Sequence, residues 1–328
     1  MGYKKMKYAP VVIPTLNRIE HLQRCITSLQ RNPWAKYTPL IISVDYPPSE
    51  KYQDGYQKVC SYLKEDITGF ASVEIIYQKE NLGPYENAEF LRKYVGKHYD
   101  RYIFSEDDNE FSPNFIEYTD KGLDRFEMNP DVVAICAIGA SGNETENENV
   151  VLSQNFTAYG YGVWIDKENL YYQCINRAYV EEKAKDIHYL IRMVKAQENL
   201  LFSLQSVIFK KENVYQLPNG EVPIIDQTIK FYLIAEHKYV ISPCTRKVRN
   251  WGYDGSGQNC PVDRTLQSKR VDIDQRSCFE YRYGNTLHIK KMKAHYSFGI
   301  MCRILVALLK IELWGLFKDA RKIQHKTI

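Results

Sequence analysis

In the first third of the chain, short apolar runs repeatedly stop at a polar turn and give way to helical spacing, and that alternation constrains the fold more than any other feature. Tyr8 to Ile13 reads as a strand. The turn Pro14-Thr15-Leu16-Asn17 follows, then apolar residues at 19, 22, 26 and 29, with Asn17 as N-cap and Glu20 completing a capping box. Leu40 to Asp45 is a second strand ending in a carboxylate, and Pro47-Pro48 turns the chain into a Tyr-rich helix reaching about Leu63. Val73 to Tyr77 is a third, running into Asn81-Leu82-Gly83-Pro84, where Pro84 suits the first position of a helix extending to about Val95. Strands and helices in this rhythm predict a mostly parallel, doubly wound α/β sheet with its ligand site beyond the carboxyl ends of the strands.

The fourth strand carries the strongest chemical signal. Tyr102-Ile103-Phe104 reads as a strand buried on both faces, and it ends in Glu106, Asp107 and Asp108. Adjacent carboxylates repel one another, so three together ask for a compensating cation or hydrogen-bonding ligand. Hard oxygen donors suit Mg²⁺ or Mn²⁺, and a solvated acidic loop is the plain alternative. Asn17, Asp45, Asn81 and Glu106 to Asp108 all fall on one predicted edge, which favours a binding site over separate solvated turns.

Beyond the acidic cluster, Ser112-Pro113 reads as the capped start of a helix, and Val132 to Ile138 as a further strand. Gly139 to Asn149 reads as a mobile loop, and Ala158 to Trp164 interleaves glycine with aromatics, suited either to a sugar face or to a tight turn beside a core Trp. Residues 167–211 are helix-prone, Pro218 and Gly220 mark a turn, and Asp226 stands after Pro223 where a helix with Ile229, Tyr232 and Leu233 on one face begins. An N-cap is the plain reading of Asp226. Tyr239 to Ser242 is a strand leading to Arg246-Lys247-Val248-Arg249 and the glycine-rich stretch to Gly257, a basic segment suited to a pyrophosphate and a loop suited to closing over it.

Charge and cysteine usage narrow the classes. A net charge of +4 over 328 residues is too sparse for a nucleic-acid binder, and the 26 Tyr residues are mostly packing residues in the ordinary case. None of the eight cysteines forms a Cys-x-x-Cys pair, which argues against a zinc knuckle or redox motif. The basic start Met1 to Lys7 lacks the apolar run of a signal peptide, so a cytoplasmic location is expected and the sequons at Asn143 and Asn155 are expected to be silent.

Taken together, Val12 to Arg18, Ile42 to Asp45, Glu106-Asp107-Asp108 with Pro113-Asn114-Phe115, the Gly162-Val-Trp164 segment and Ile225-Asp226 resemble GT-A fold glycosyltransferases, in particular family 2 enzymes and N-acetylglucosaminyltransferase I-like enzymes. The resemblance covers residues 8–260. It implies a Rossmann-like GT-A domain over residues 1–285, followed by a basic helical segment at 286–328. It further implies a hexosyl- or N-acetylhexosaminyltransferase using a nucleotide-sugar, a UDP-sugar foremost, and a saccharide acceptor; the basic C-terminal segment, if it lies on a membrane, and the expected cytoplasmic location add a lipid-linked acceptor and bacterial surface polysaccharide synthesis as the expected setting. By position, the resemblance puts Pro14, Thr15, Asn17, Arg18, Asp45, Asn81, Gly83, Glu106, Asp107 and Arg249 on the nucleotide-sugar, with Asp45 near the base. Asp108 would hold Mn²⁺ or Mg²⁺, Asp226 would be the base of an inverting reaction, and Gly162, Trp164 and Asp254 would face sugar or acceptor. Glu106 replaces the first Asp of the family's Asp-x-Asp motif, and no His lies between His237 and His288 to serve as a late metal ligand. If Asp226 is only a cap, a retaining reaction is the alternative. A nucleotidyltransferase lacks support because no Gly-rich basic loop follows the first strand, and a non-catalytic carbohydrate-binding or scaffold protein is opposed by the intact acidic triplet.

The C-terminal stretch Gly299 to Phe317 is apolar yet contains Arg303, Lys310 and Glu312, so it suits an amphipathic helix better than a membrane span. With Lys290 to Lys293 before it and Lys318 to Lys326 after it, two roles are open: lying on the inner face of the cell membrane, or packing against protein.

Overall fold

The computed structural model describes residues 8–139, 144–174, 176–196, 198–209, 215–217, 220–222, 225–257, 262, 271–284, 287–289 and 298–324. The chain divides into two compact units, one of residues 1–152, 157–166 and 241–288, the other of 153–156, 167–240 and 289–328.

The first unit is built on an eight-stranded sheet. In chain order its elements are β1 (Val11–Thr15), α1 (Ile19–Gln30), β2 (Pro39–Val44), α2 (Gln53–Tyr62), β3 (Ser72–Tyr77), α3 (Pro84–Val95), β4 (Arg101–Phe104), β5 (Asn109–Phe111), α4 (Phe115–Phe126), β6 (Val132–Cys136), β7 (Val150–Ser153) and β8 (Tyr161–Trp164). The sheet order is β3-β2-β1-β4-β8-β6-β11-β7, where β11 is Tyr239–Pro243. β1 pairs in parallel with both β2 and β4, β2 with β3, and β8 runs antiparallel between β4 and β6. The mostly parallel doubly wound α/β sheet expected from the sequence is therefore present. Val11, Ile13, Leu40, Ile42 and Ile103 are fully buried on it, beneath Leu22, Ile26 and Leu29 of α1.

The order β2-β1-β4 sets the site. β1 leaves its β2 side toward β4, and the connection reverses there, which is where open sheets of this kind bind ligands. Pairing of β1 with β4 ends at Val12 and Phe104, while pairing with β2 continues to Thr15 and Val44. Pro14, in the part of β1 beyond the end of that pairing, has no N–H to offer β4. The two strands thus part just before the acidic cluster.

Local details differ from the expectation at the helix starts. β1 begins at Val11 and runs on to Thr15, and the cap of α1 is Arg18, with no side-chain cap bond, so Asn17 and Glu20 form no capping box. Helix α4 starts at Phe115 with Asn114 as its cap, two residues later than Ser112-Pro113 suggested; Ser112 instead donates its hydroxyl to Asn114 Oδ1 at 3.0 Å. Pro84 does open α3, behind Gly83 at φ +83°, a conformation that favours glycine. The segment 144–149 is anchored by Glu144, which binds Arg276 at 2.7 Å and accepts from Thr245 at 2.9 Å, and Asn143 lies outside the described residues.

Gly162 and Trp164 lie in β8. Trp164 is buried in the core cluster and its backbone pairs with Arg101. A Cβ on Gly162 would come within 2.4 Å of Thr119 Cγ2 and 3.0 Å of Leu123 Cδ1, so this glycine exists to seat α4 on the sheet. Gly162→Ala is expected to cost about 1–3 kcal/mol of stability through overpacking, read as a drop in denaturant midpoint. An unchanged midpoint would show that α4 shifts freely.

The second unit is mainly helical, with α5 (Ile165–Cys174) entering from the first, then α6 (Arg177–Lys183), α7 (Ile187–Ala196), α8 (Glu198–Ile208), the hairpin β9 (Tyr215–Leu217) and β10 (Gly220–Val222), and α9 (Ile225–Ala235). Its core joins Leu190, Met193, Leu201, Leu204 and Phe231 to Ile304, Ala307 and Ile311 of the C-terminal helix α10 (Phe298–Gln324). No described helix is long and apolar enough to cross a membrane. Pro218, Pro223 and Lys290 to Lys293 lie outside the described residues.

Candidate functional site

The parted ends of β1 and β4 bring Thr15 and Arg18 to the acidic cluster. The Thr15 hydroxyl donates to Asp107 Oδ2 at 2.8 Å. The Arg18 guanidinium binds Asp107 Oδ1 through Nη2 and lies 2.8 Å from Asp108 Oδ2 through Nη1. Both aspartates are buried, and Glu106 is half-buried. Burial alone would weaken the Arg18 cation, but the two carboxylates hold it firmly charged. One guanidinium against two buried carboxylates leaves negative charge over. Burial first, and Asp107 beside it, push the Asp108 carboxyl above the usual range despite Arg18.

The opposite wall comes from a strand that meets β5 across the fold. β12 (Val248–Asn250) runs antiparallel to β5, placing Asn250 beside Asn109. The Asn250 amide donates to Asp108 Oδ1 at 2.5 Å, and the Trp251 N–H donates to the Asp108 carbonyl at 2.8 Å. Trp251 donates its indole N–H to Glu110 at 2.9 Å and lies under the Arg24 guanidinium, 4.5 Å from the ring centre. A Cβ on residue 252 would stand 2.3 Å from Asp108 Oδ2, so only glycine lets the backbone at 252 pack this closely against that carboxylate.

His21, in the first turn of α1, closes the set. Its Nε2 is 2.9 Å from Asp254 Oδ2 and its Nδ1 is 3.2 Å from Arg24 Nη1. Burial works against ionisation of Asp254, but Ser256 and His21 hold its carboxyl down at about 2.

Asp45 and Asn81 meet at the neighbouring strand end. Asp45 accepts the N–H groups of Tyr46 at 2.9 Å, Leu82 at 2.8 Å and Gly83 at 2.9 Å, and the Asn81 amide at 3.1 Å. This carboxylate therefore shapes the turn that carries Gly83. Arg249 is tied to the Val271 carbonyl at 2.9 Å and to Glu110 at 3.4 Å. Lys247, part of the expected pyrophosphate segment, is fully buried against Asp274 and Asn114 and is not available to a ligand. Asp226 lies half-buried in the first turn of α9, in the second unit.

The residues fit a divalent cation in charge: one guanidinium set against a pair of buried carboxylates. Among the described residues no three His, Cys, Asp or Glu side chains gather as a ready cage.

Sequence reasoning missed His21, Arg24, Asn250, Trp251 and Gly252. The only signal for the last three was their place in a Gly- and Arg-rich stretch, and the only signal for the first two was the outward face of α1.

The family described as glycosyl transferase family 2 matches over residues 11–188, more than half of the chain. No curated protein matches. Among solved structures, S. aureus TarS 1-349 in complex with UDP is 14% identical, with 50% of this chain and 49% of that one covered and a TM-score of 0.36. S. aureus TarS is 13% identical, covering 48% and 28%, with a TM-score of 0.34. Mouse xyloside xylosyltransferase 1, apo form, is 11% identical, covering 55% and 76%, with a TM-score of 0.35. The match thus spans about half or less of the TarS structures' own length. The family match takes in β1, the Arg18 turn, β4 and the Asp107–Asp108 pair, and by it this chain, with its mostly parallel GT-A-type sheet, belongs to glycosyl transferase family 2.

Proposed function

We propose that the protein transfers a sugar from a nucleotide-sugar, a UDP-sugar foremost, to a saccharide or lipid-linked saccharide acceptor in the building of a bacterial surface polysaccharide. The observation that carries this reading is the buried Asp107–Asp108 pair where β1 and β4 part, gripped by Thr15 and Arg18 and faced by Gly252. Family membership supports the reaction class.

In this reading Asp108 holds Mn²⁺ or Mg²⁺, whose contribution when bound is to offset charge on the departing nucleoside diphosphate. Asp107 and Glu106 orient the donor. Arg18, Thr15 and the first turn of α1, which no side chain caps, supply positive charge and N–H donors toward the diphosphate. Asp45, with Asn81 and Gly83, positions the nucleoside. Asp254, held ionised, is aimed at sugar hydroxyls. Asp226 accepts the acceptor hydroxyl's proton as that oxygen attacks the anomeric carbon from the face opposite the leaving group, which inverts the centre.

The test is a thermal-shift screen of the intact chain against UDP, GDP, CDP and dTDP, with and without Mn²⁺. At a hundredfold excess over Kd, one nucleotide is expected to raise Tm by about 5 °C, and only with Mn²⁺ present. Absence of any shift across the screen would remove the nucleotide-sugar reading.

A further inference from the structure

We propose that the outward face of α10 docks onto the surface of an anionic phospholipid bilayer. The inference stands on the second unit and uses no residue of the candidate site, so it holds or fails separately from the reaction proposed above.

Helix α10 is 27 residues long and two-faced. Ile304, Ala307 and Ile311 are buried in the core of the second unit beside Leu204 and Phe231. On the other face Phe298, Met301, Leu305, Leu309, Leu313 and Leu316 are between 45% and 78% exposed. Their steps of three and four keep them on one side of the helix. From first to last they make a row of about 27 Å at the rise of an α-helix. Six large apolar side chains in one unbroken row are not the scattered exposed leucines of an ordinary surface.

Charge selects the occupant. Exposed Arg303 and Lys310, seven residues apart and so on one flank, run alongside the row. Residues 286–328 hold nine Lys and Arg against Glu312 and Asp319, a net +7 in a chain whose total is +4, which leaves residues 1–285 at −3. A second copy docking by two-fold symmetry would set this positive region against itself. Anionic headgroups would meet it with the opposite sign while the leucines enter the boundary between headgroups and acyl chains. The same charged side chains keep the helix in the plane of the surface, and no described helix is long and apolar enough to span.

The experiment is flotation of the full chain with phosphatidylcholine vesicles, with and without phosphatidylglycerol, at low and high salt. The expected result is flotation that needs phosphatidylglycerol and weakens with salt. Leu305→Glu with Leu309→Glu is expected to abolish it, and Arg303→Glu with Lys310→Glu to lower partition by at least about tenfold. All these positions are exposed, so an unchanged Tm and circular dichroism spectrum is the control for folding. Equal flotation with both vesicle types, or none by the folded wild type, overturns the proposal. So does a concentration-dependent dimer that the two leucine substitutions dissociate, which would assign the face to a second copy.

Discussion

Asp108→Asn is expected to lower the rate of sugar transfer by about three orders of magnitude while leaving Tm unchanged or higher. The two effects part because the acidic pair serves the ligand at the expense of the fold. Asp108 is buried, faces Asp107 across the same guanidinium, and has its carboxyl pushed above the ordinary range by burial and by that neighbour. Its surroundings therefore favour a neutral side chain, and Asn supplies one of the same shape. The amide can still accept from Asn250 but cannot neutralise a cation or answer Arg18 with charge. Initial rates with the donor found by the nucleotide screen, beside calorimetric melting, check both halves. Transfer within tenfold of wild type would remove Asp108 from the reacting centre, and a fall in Tm of several degrees would show that the Arg18 pair outweighs repulsion and burial.

The sheet was legible because its signals are local. Apolar runs of five or six residues at 11–15, 39–44 and 72–77 are each followed by a helix with its own periodicity, and no long-range contact is needed to read them. Helix starts were read less well for a physical reason. Asn17 and Ser112 have the right chemistry for caps, but Arg18 occupies the cap position with its side chain bound to the aspartates, and Ser112 is bonded to Asn114. Tertiary bonds outcompeted the local motif.

The same distinction explains the site. The sequence pattern put Glu106 to Asp108 at the end of a strand beside the first, and parallel pairing of β1 with β4 brings Thr15 and Arg18 to Asp107 and Asp108 there. Asn250, Trp251 and Gly252 arrive through the antiparallel pairing of β12 with β5, 141 residues apart at Asn109 and Asn250, and nothing local announces that pairing. Gly162 and Trp164 show how little the residues alone decide. Glycine beside an aromatic has the same appearance whether a ligand or a helix lies against it, and here α4 does.

Asp274→Asn is expected to cost about 3–5 kcal/mol, a fall in Tm of about 10 °C, although Asp274 touches no part of the candidate site. Lys247 is fully buried, with its ammonium 4.3 Å from the centre of the Phe279 ring, and Asp274 at 2.5 Å is its carboxylate partner. Burial has pushed that ammonium down to about 8 and Asp274 is what holds it up, so removing the counter-ion leaves a buried amine that must either give up its proton or stay charged without a carboxylate partner. Asp274 also fastens the segment 271–284, accepting from Asn114 at 3.1 Å and from Arg276 Nη2 at 2.7 Å while its own N–H donates to the Arg246 carbonyl. Burial raises its carboxyl, but the bonds from Arg276 and Lys247 overcome that and hold it far below the usual range. A carboxyl depressed in the folded state contributes stability that is present above about pH 4 and lost as pH falls toward its folded value. Wild type is therefore expected to lose stability from pH 4 downward, and Asp274→Asn to be flatter over that window. Chemical denaturation from pH 7 to pH 3 reads both. Lys247→Met with Asp274→Leu separates the charge left behind from the fastening itself: recovery of most of the loss would assign the cost to an unpaired buried ammonium, and no recovery would assign it to release of residues 271–284. The segment 271–284 is linked to the candidate site through β12, because Arg249 donates to the Val271 carbonyl and the next residue, Asn250, donates to Asp108.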